Sequence, residues 1–196
     1  FAWHGPSDEW NSISLNYTSG TTGNPKGVVY HHRGAALMGY SNTLATGMGR
    51  HPIYLWTLPM FHCNGWCFPW SLSVVAGTHV CLRWVRAKAM YELITEHKVT
   101  HISGAPIVMS ALLGASAEEK LPINHRVAFN HAAAPPPQAV MDAMVEAGFD
   151  LTHVLIDLRL HMIGDCFADF VFIHLRHAGV DDHAAVAGDV GGQHVD

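Results

Sequence analysis

The chain has 196 residues, of which 49% are hydrophobic and 14% charged, with a net charge of -5. This is globular composition, long enough to bury a sizeable core and unlike a disordered chain. The acidic balance and the lack of any Lys/Arg run exclude nucleic acid and an anionic membrane surface as expected partners, and no apolar run is long enough to span a bilayer.

Ser12-Ile13-Ser14-Leu15-Asn16-Tyr17 alternates polar and apolar residues and predicts a strand. It delivers the chain into Thr18-Ser19-Gly20-Thr21-Thr22-Gly23-Asn24-Pro25-Lys26-Gly27. Glycines let a backbone turn through positive φ and bring its N–H groups close to a ligand, and successive N–H groups in such a turn form a nest for an anion. The hydroxyls of Thr18, Ser19, Thr21 and Thr22 add donors, and Lys26 adds a point charge of the kind used on phosphates. The physical reading is a loop that holds a polyphosphate; the bland alternative is a polar surface turn. Pro25 occupies the place where a P-loop NTPase needs its second glycine, so that pattern is excluded.

Val28-Val29-Tyr30 predicts a strand leaving the loop, and residues 33–48, rich in Ala, Leu and Met, predict a helix ending near Gly49. Residues 53–58 read as a strand stopped by Pro59. Further strands are expected at 77–82, 99–102, 126–129 and 151–155, with helices at 87–97, 104–113 and 136–147. This alternation predicts an α/β fold with a largely parallel sheet flanked by helices. Between strand and helix, His62, Cys63 and Cys67 carry two readings, a soft-metal site and buried core, with core favoured because no second Cys pair follows at zinc-site spacing. The four cysteines show no disulfide framework, which predicts a reduced, cytoplasmic setting. No basic, apolar leader is visible at the start, and entry into the loop after only sixteen residues predicts a fragment.

The string from Tyr17 to Gly27 resembles the phosphate-loop signature of the adenylate-forming superfamily, which includes acyl-CoA synthetases, luciferases and peptide-synthetase adenylation domains. The resemblance implies that Thr18, Ser19, Gly20, Thr21, Thr22, Gly23 and Lys26 bind nucleotide. Met60-Phe61-His62-Cys63-Asn64-Gly65-Trp66-Cys67 is similar to the superfamily's second core region, in the form found in short- to medium-chain fatty-acyl CoA ligases. It implies that Phe61 and His62 border the reacting carboxylate, with Trp66, Phe68 and Trp70 as pocket or core aromatics. Ala132-Ala133-Ala134-Pro135 resembles the small-residue turn that builds the adenine and acyl pocket, with Ala132 where a glycine is usual. The methyl of Ala132 would narrow that approach.

By the same resemblance the intact enzyme joins a small carboxylic acid to ATP with Mg²⁺, then transfers the acyl group to CoA. The resemblance covers residues 1–154. Where the family continues with aromatic-Gly-x-Thr-Glu, this chain has Leu155-Ile156-Asp157-Leu158-Arg159, and the later ribose, hinge and catalytic-lysine motifs do not follow. Residues 155–196 read as an unrelated tail, the product of a reading-frame slip or chimeric gene end, in which the apolar run 167–175 lacks an evident mate. Three functions follow: a piece of an ATP-dependent acyl-CoA ligase, inactive as this chain; a nucleotide-binding fragment without catalysis, the reading favoured for this chain as it stands; and a metal-binding protein built around Cys63, Cys67 and the tail's His174, His177, Asp181, Asp182 and His183.

Overall fold

The computed structural model describes residues 2, 4–17, 24–132, 136–157 and 171–176. Strands β1 (Ser12–Tyr17) and β2 (Gly27–His31) form an antiparallel hairpin, and β2 runs straight into helix α1 (His32–Ala45). His31 makes that corner possible. Its backbone is extended, while its Nδ1 accepts from the Gly34 N–H at 3.0 Å and so caps the helix start. The helix stops earlier than the composition predicts, because Thr46 turns back onto the Asn42 carbonyl and Gly47 takes φ 62°.

The main sheet contains β3 (Ile53–Trp56), β4 (Thr78–Cys81), β5 (His101–Gly104), β6 (Val127–His131), β7 (Phe149–Asp157) and β8 (Val171–Arg176), in the order β4-β3-β5-β6-β7-β8. The first five are mutually parallel; β8 is antiparallel to β7. This pairing corrects the expectation that the run 167–175 has no mate, since Leu155 lies opposite Ile173 and Asp157 opposite Val171. The strand β7 continues through position 154 to Asp157.

Alternation along the strands gives the sheet two different faces. Leu55, Ile102, Val127, Phe129 and Leu151 pack under α4 (Ala87–His97), α5 (Pro106–Leu113) and α6 (Gln138–Glu146). Helix α4 buries Met90, Tyr91 and Ile94, one face of a helical period, and α5 starts at Pro106, whose missing N–H costs nothing in a first turn. The opposite face carries Tyr54, Trp56, Ala132 and Val154, packed with Trp66, Phe68 and Leu72. Phe68 and Leu72 come from α3 (Phe68–Val74), which the sequence reading missed; α1 lies on α3, with Gly39 close to Trp70 and Val74. The result is an α/β architecture with a parallel five-strand core flanked by helices on both faces.

Candidate nucleotide and acyl site

Two parts of the fold bear on the site. One is the β1–β2 hairpin, whose connection is the glycine-rich loop. Residues 18–23 lie outside the described residues, but both ends of the loop are placed: Tyr17 and Gly27 are register partners. A Cβ on Gly27 would stand 3.1 Å from Leu15 Cδ1 and 3.6 Å from the Tyr17 ring, so glycine lets the cross-strand side chains close over the loop's exit. Lys26 therefore sits immediately beside a fixed point of the hairpin. Glu9 and Arg33 pair at 2.7 Å, and the Arg33 guanidinium lies over Trp10, fastening the segment before β1 to the start of α1.

The other part is the carboxyl edge of the sheet. The crossover from β3 leads outward to β4, and the next one returns past β3 to β5, so the loops after β3 and β5 diverge between these two strands. In open α/β sheets this switch point is where ligands bind. The Thr57 hydroxyl donates to the Ser103 carbonyl at 2.6 Å and joins the two strand ends there. The loop after β3 presents Phe61, 79% exposed, and His62, also exposed.

After His62 the chain makes a tight turn, α2 (Cys63–Trp66), with a left-handed backbone: φ is 43° at Asn64, 59° at Gly65, 52° at Trp66 and 62° at Cys67. Gly65 is required twice over, since a Cβ there would also stand 2.8 Å from the Trp56 ring. The turn drives Trp66 inward, to 8% exposure, and its carbonyl accepts from Asn42 Nδ2 at 2.9 Å. Trp66 is thus a core aromatic that shares a cluster with Ala132, whereas Phe61 and His62 face solvent. Ala132 is 2% exposed; Ala133, Ala134 and Pro135 lie outside the described residues. Trp66 and Ala132 belong to one packed unit, and Phe61 and His62 hang above it on the preceding loop.

Polar residues to which the sequence reading gave no role lie on the strands. Ser103, Asn130, His131 and Thr152 are buried, in the rows Ser103–Asn130–Thr152 and Gly104–His131–His153. The signal was available as a polar residue following an apolar one late in the strand, in Ile102-Ser103 and Phe129-Asn130. His131 and His153 stack, with ring centroids 4.7 Å apart and 7° between planes. Further down the sheet, burial and then the nearby Arg126 charge lower the His101 pKa from 6.5 to about 4.

Among the described residues no group of three or more His, Cys, Asp or Glu could hold a metal ion, and no helix is long and apolar enough to cross a membrane. Cys67 is buried and so fits the core reading. His177, Asp181, Asp182 and His183 lie outside the described residues, while His174 falls on β8.

The acetate/butyrate–CoA ligase AAE7 of Arabidopsis thaliana, a peroxisomal protein, is 54% identical to this chain over 154 residues, covering 78% of the chain and 27% of that protein. The acetate–CoA ligase CCL3 of Humulus lupulus is 51% identical over the same length, again covering 78% of this chain and 27% of its own. The chain therefore spans about a quarter of the length of the curated relatives it matches. Among solved structures, o-succinylbenzoate coenzyme A synthetase of Bacillus subtilis, in complex with ATP and magnesium, superposes with a TM-score of 0.64 at 24% identity, covering 76% of this chain and 30% of that one. The N-terminal domain of FACL13 from Mycobacterium tuberculosis gives 0.63 at 25% identity, covering 71% and 35%. The family model for the AMP-binding enzyme matches residues 3–156, and with the hairpin, the switch point and these relatives in agreement, the chain belongs to the AMP-binding enzyme family.

Proposed function

We propose that residues 1–154 supply the phosphate loop and part of the acyl site of an ATP-dependent acyl-CoA ligase, and that residues 155–196 are a separate tail. In that reaction a carboxylate oxygen attacks the α-phosphorus of ATP and pyrophosphate leaves, giving acyl-AMP. The CoA thiol then gives up its proton, its sulfur attacks the acyl carbon, and AMP leaves.

The observation that carries this reading is the closure of the loop by the Tyr17–Gly27 register, which fixes where Lys26 stands. Donors already aimed at a leaving pyrophosphate stabilise the charge that develops on it without reorganising. In this role Thr18, Ser19, Thr21 and Thr22 hold phosphate oxygens with the backbone of Gly20 and Gly23, and Lys26 faces the outer phosphates. Mg²⁺, when bound, would neutralise part of the phosphates' charge. Phe61 and His62, exposed on the loop after β3, stand beside the carboxylate. The small turn Ala132, Ala133, Ala134 and Pro135 forms the wall against the adenine and the acyl group. Trp66 and Trp56 fill the space beneath that wall, which favours short acids of the acetate and butyrate kind named for the Arabidopsis relative. A reducing, cytoplasm-like compartment suits the exposed thiol of Cys81.

The test is calorimetry on the 196-residue chain. Lys26→Ala should weaken ATP binding more than AMP binding, because only the triphosphate carries the outer charges. Equal losses for the two nucleotides would remove Lys26 from the phosphate site.

A second reading, nucleotide binding without catalysis, is favoured for this polypeptide by the backbone of β7. Where the resemblance calls for a turn bearing Thr-Glu, positions 155–157 are paired with β8.

A further inference from the structure

The sheet face that carries Tyr54, Trp56, Ala132 and Val154 also holds a set of polar groups that the proposed reaction does not use. Tyr54 is the register neighbour of His101 on β5, Ser103 lies two residues further along β5, and Asn130 on β6 is the partner of Ser103. Strand alternation therefore sends all three side chains to the same face, on adjacent strands. Tyr54 and Ser103 are fully buried, and Asn130 is 1% exposed. Yet Tyr54 Oη, Ser103 Oγ and Asn130 Nδ2 make no hydrogen bond among the described residues. Burial pushes the Tyr54 phenol far above its ordinary range, so it stays protonated, and the neighbouring Ser103 hydroxyl tempers that shift.

We infer that Tyr54, Ser103 and Asn130 enclose one ordered water, a closed hydration site that ties β3, β5 and β6 together behind the switch point. A buried polar group left unmet is destabilising, and native interiors rarely carry three side by side. A buried water typically makes about three hydrogen bonds to such groups. Three bonds fit one water: the Tyr54 hydroxyl and Asn130 Nδ2 donate to its oxygen, and the water donates to Ser103 Oγ. The near-zero exposure of all three residues leaves no path for anything larger.

The position gives the site a role. The Ser103 carbonyl already accepts from Thr57, and Asn130 lies two residues before Ala132, where the small-residue turn begins. The water would hold three strands in one register beneath the crevice, so these residues act as positioning groups. The inference stands whether or not the chain binds nucleotide.

Tyr54→Phe separates the alternatives by sign. If the hydroxyl is truly unmet, removing it leaves the melting temperature unchanged or raises it. If it holds the water, Tm falls by about 2–4 °C, and Ser103→Ala lowers it similarly. The double variant should then lose clearly less than the sum, because both changes release the same water. A raised or unchanged Tm in Tyr54→Phe, or strict additivity, overturns the inference. On the unmodified chain, cross-relaxation from a long-lived water to the Tyr54 ring protons and the Asn130 side-chain amide should be present; its absence overturns the inference independently of any variant.

Discussion

The Thr57 hydroxyl donates to the Ser103 carbonyl at 2.6 Å, across the gap where β3 and β5 send their loops apart. Both residues are buried, and a carbonyl at the end of a strand has no ladder partner beyond it. One side chain thus meets a backbone group that the topology itself leaves unpaired. The bond also sets the spacing of the loop that bears Phe61 and His62 against the loop that opens α5 at Pro106.

Thr57→Val keeps the shape and removes that donor. The unmet Ser103 carbonyl should cost about 1–3 kcal/mol, read as a lower midpoint in urea with an unchanged slope. Thr57→Ser keeps the donor and should retain most of the stability. Equal losses in the two variants would show that the methyl, not the hydrogen bond, matters at this position.

Gly65 carries a second prediction. Its φ of 59° and the 2.8 Å approach of the Trp56 ring oppose any side chain. Gly65→Ala should cost about 2–4 kcal/mol from backbone strain and overpacking together. Quenching of tryptophan fluorescence should change as well, because Trp56 and Trp66 share the cluster that must move. A fully stable Gly65→Ala variant with unaltered fluorescence would mean that residues 64–67 readily take another conformation.

Much of this fold could be read from residue patterns. The α4 bounds follow from its period, and β1 follows from alternation of polar and apolar residues. Where the reading failed, tertiary contacts decide. Helix α3 hides behind Phe68-Pro69-Trp70, which looks like an aromatic pocket, although Pro69 at a first helical turn was the local clue. Strand β8 acquires its meaning only from the free edge of β7, which no local pattern reveals. The site divides in the same way. The proposed phosphate loop is legible in its composition, whereas the polar row of Ser103, Asn130 and Thr152 requires three strands in register before it exists. Trp66 shows the limit most plainly: core and pocket use the same residue type, and only the left-handed turn at 64–67 decides for the core.

The pH dependence of stability should carry a contribution from His101. In the unfolded chain this imidazole takes up a proton near pH 6.5, but in the folded chain only near pH 4, because burial and secondarily Arg126 disfavour the charged ring. Between those values the unfolded state binds more protons. Stability is therefore full above about pH 6.5 and falls as the pH drops towards 4, by up to about 3 kcal/mol from this group. Arg126 is largely exposed and paired with Asp150, so its share should shrink with added salt. Denaturant titrations at pH 4.5 and 7 should show a smaller difference in His101→Gln than in the parent chain. An identical difference would remove His101 as a source of acid sensitivity.

The 196-residue chain should bind ATP without making acyl-CoA. Adenylation needs charge stabilisation at the α-phosphorus in addition to a loop that holds the outer phosphates, and loss of one such donor typically costs about 10²–10³ in rate. The resemblance assigns part of that task to a Thr-Glu turn directly after the strand that contains His153. Here the backbone at 155–157 is committed to pairing with Val171, Phe172 and Ile173, and Leu155-Ile156-Asp157 offers no such turn. Bending it over a nucleotide would break those ladder hydrogen bonds. With ATP, Mg²⁺, CoA and acetate or butyrate, pyrophosphate release and thioester formation should both stay at background, while calorimetry with ATP alone still reports binding. Turnover by the purified chain that disappears in His62→Ala would show that the site is complete without the missing turn. Absence of ATP binding as well would count against the phosphate loop itself, so the two readouts separate a silent site from an unformed one.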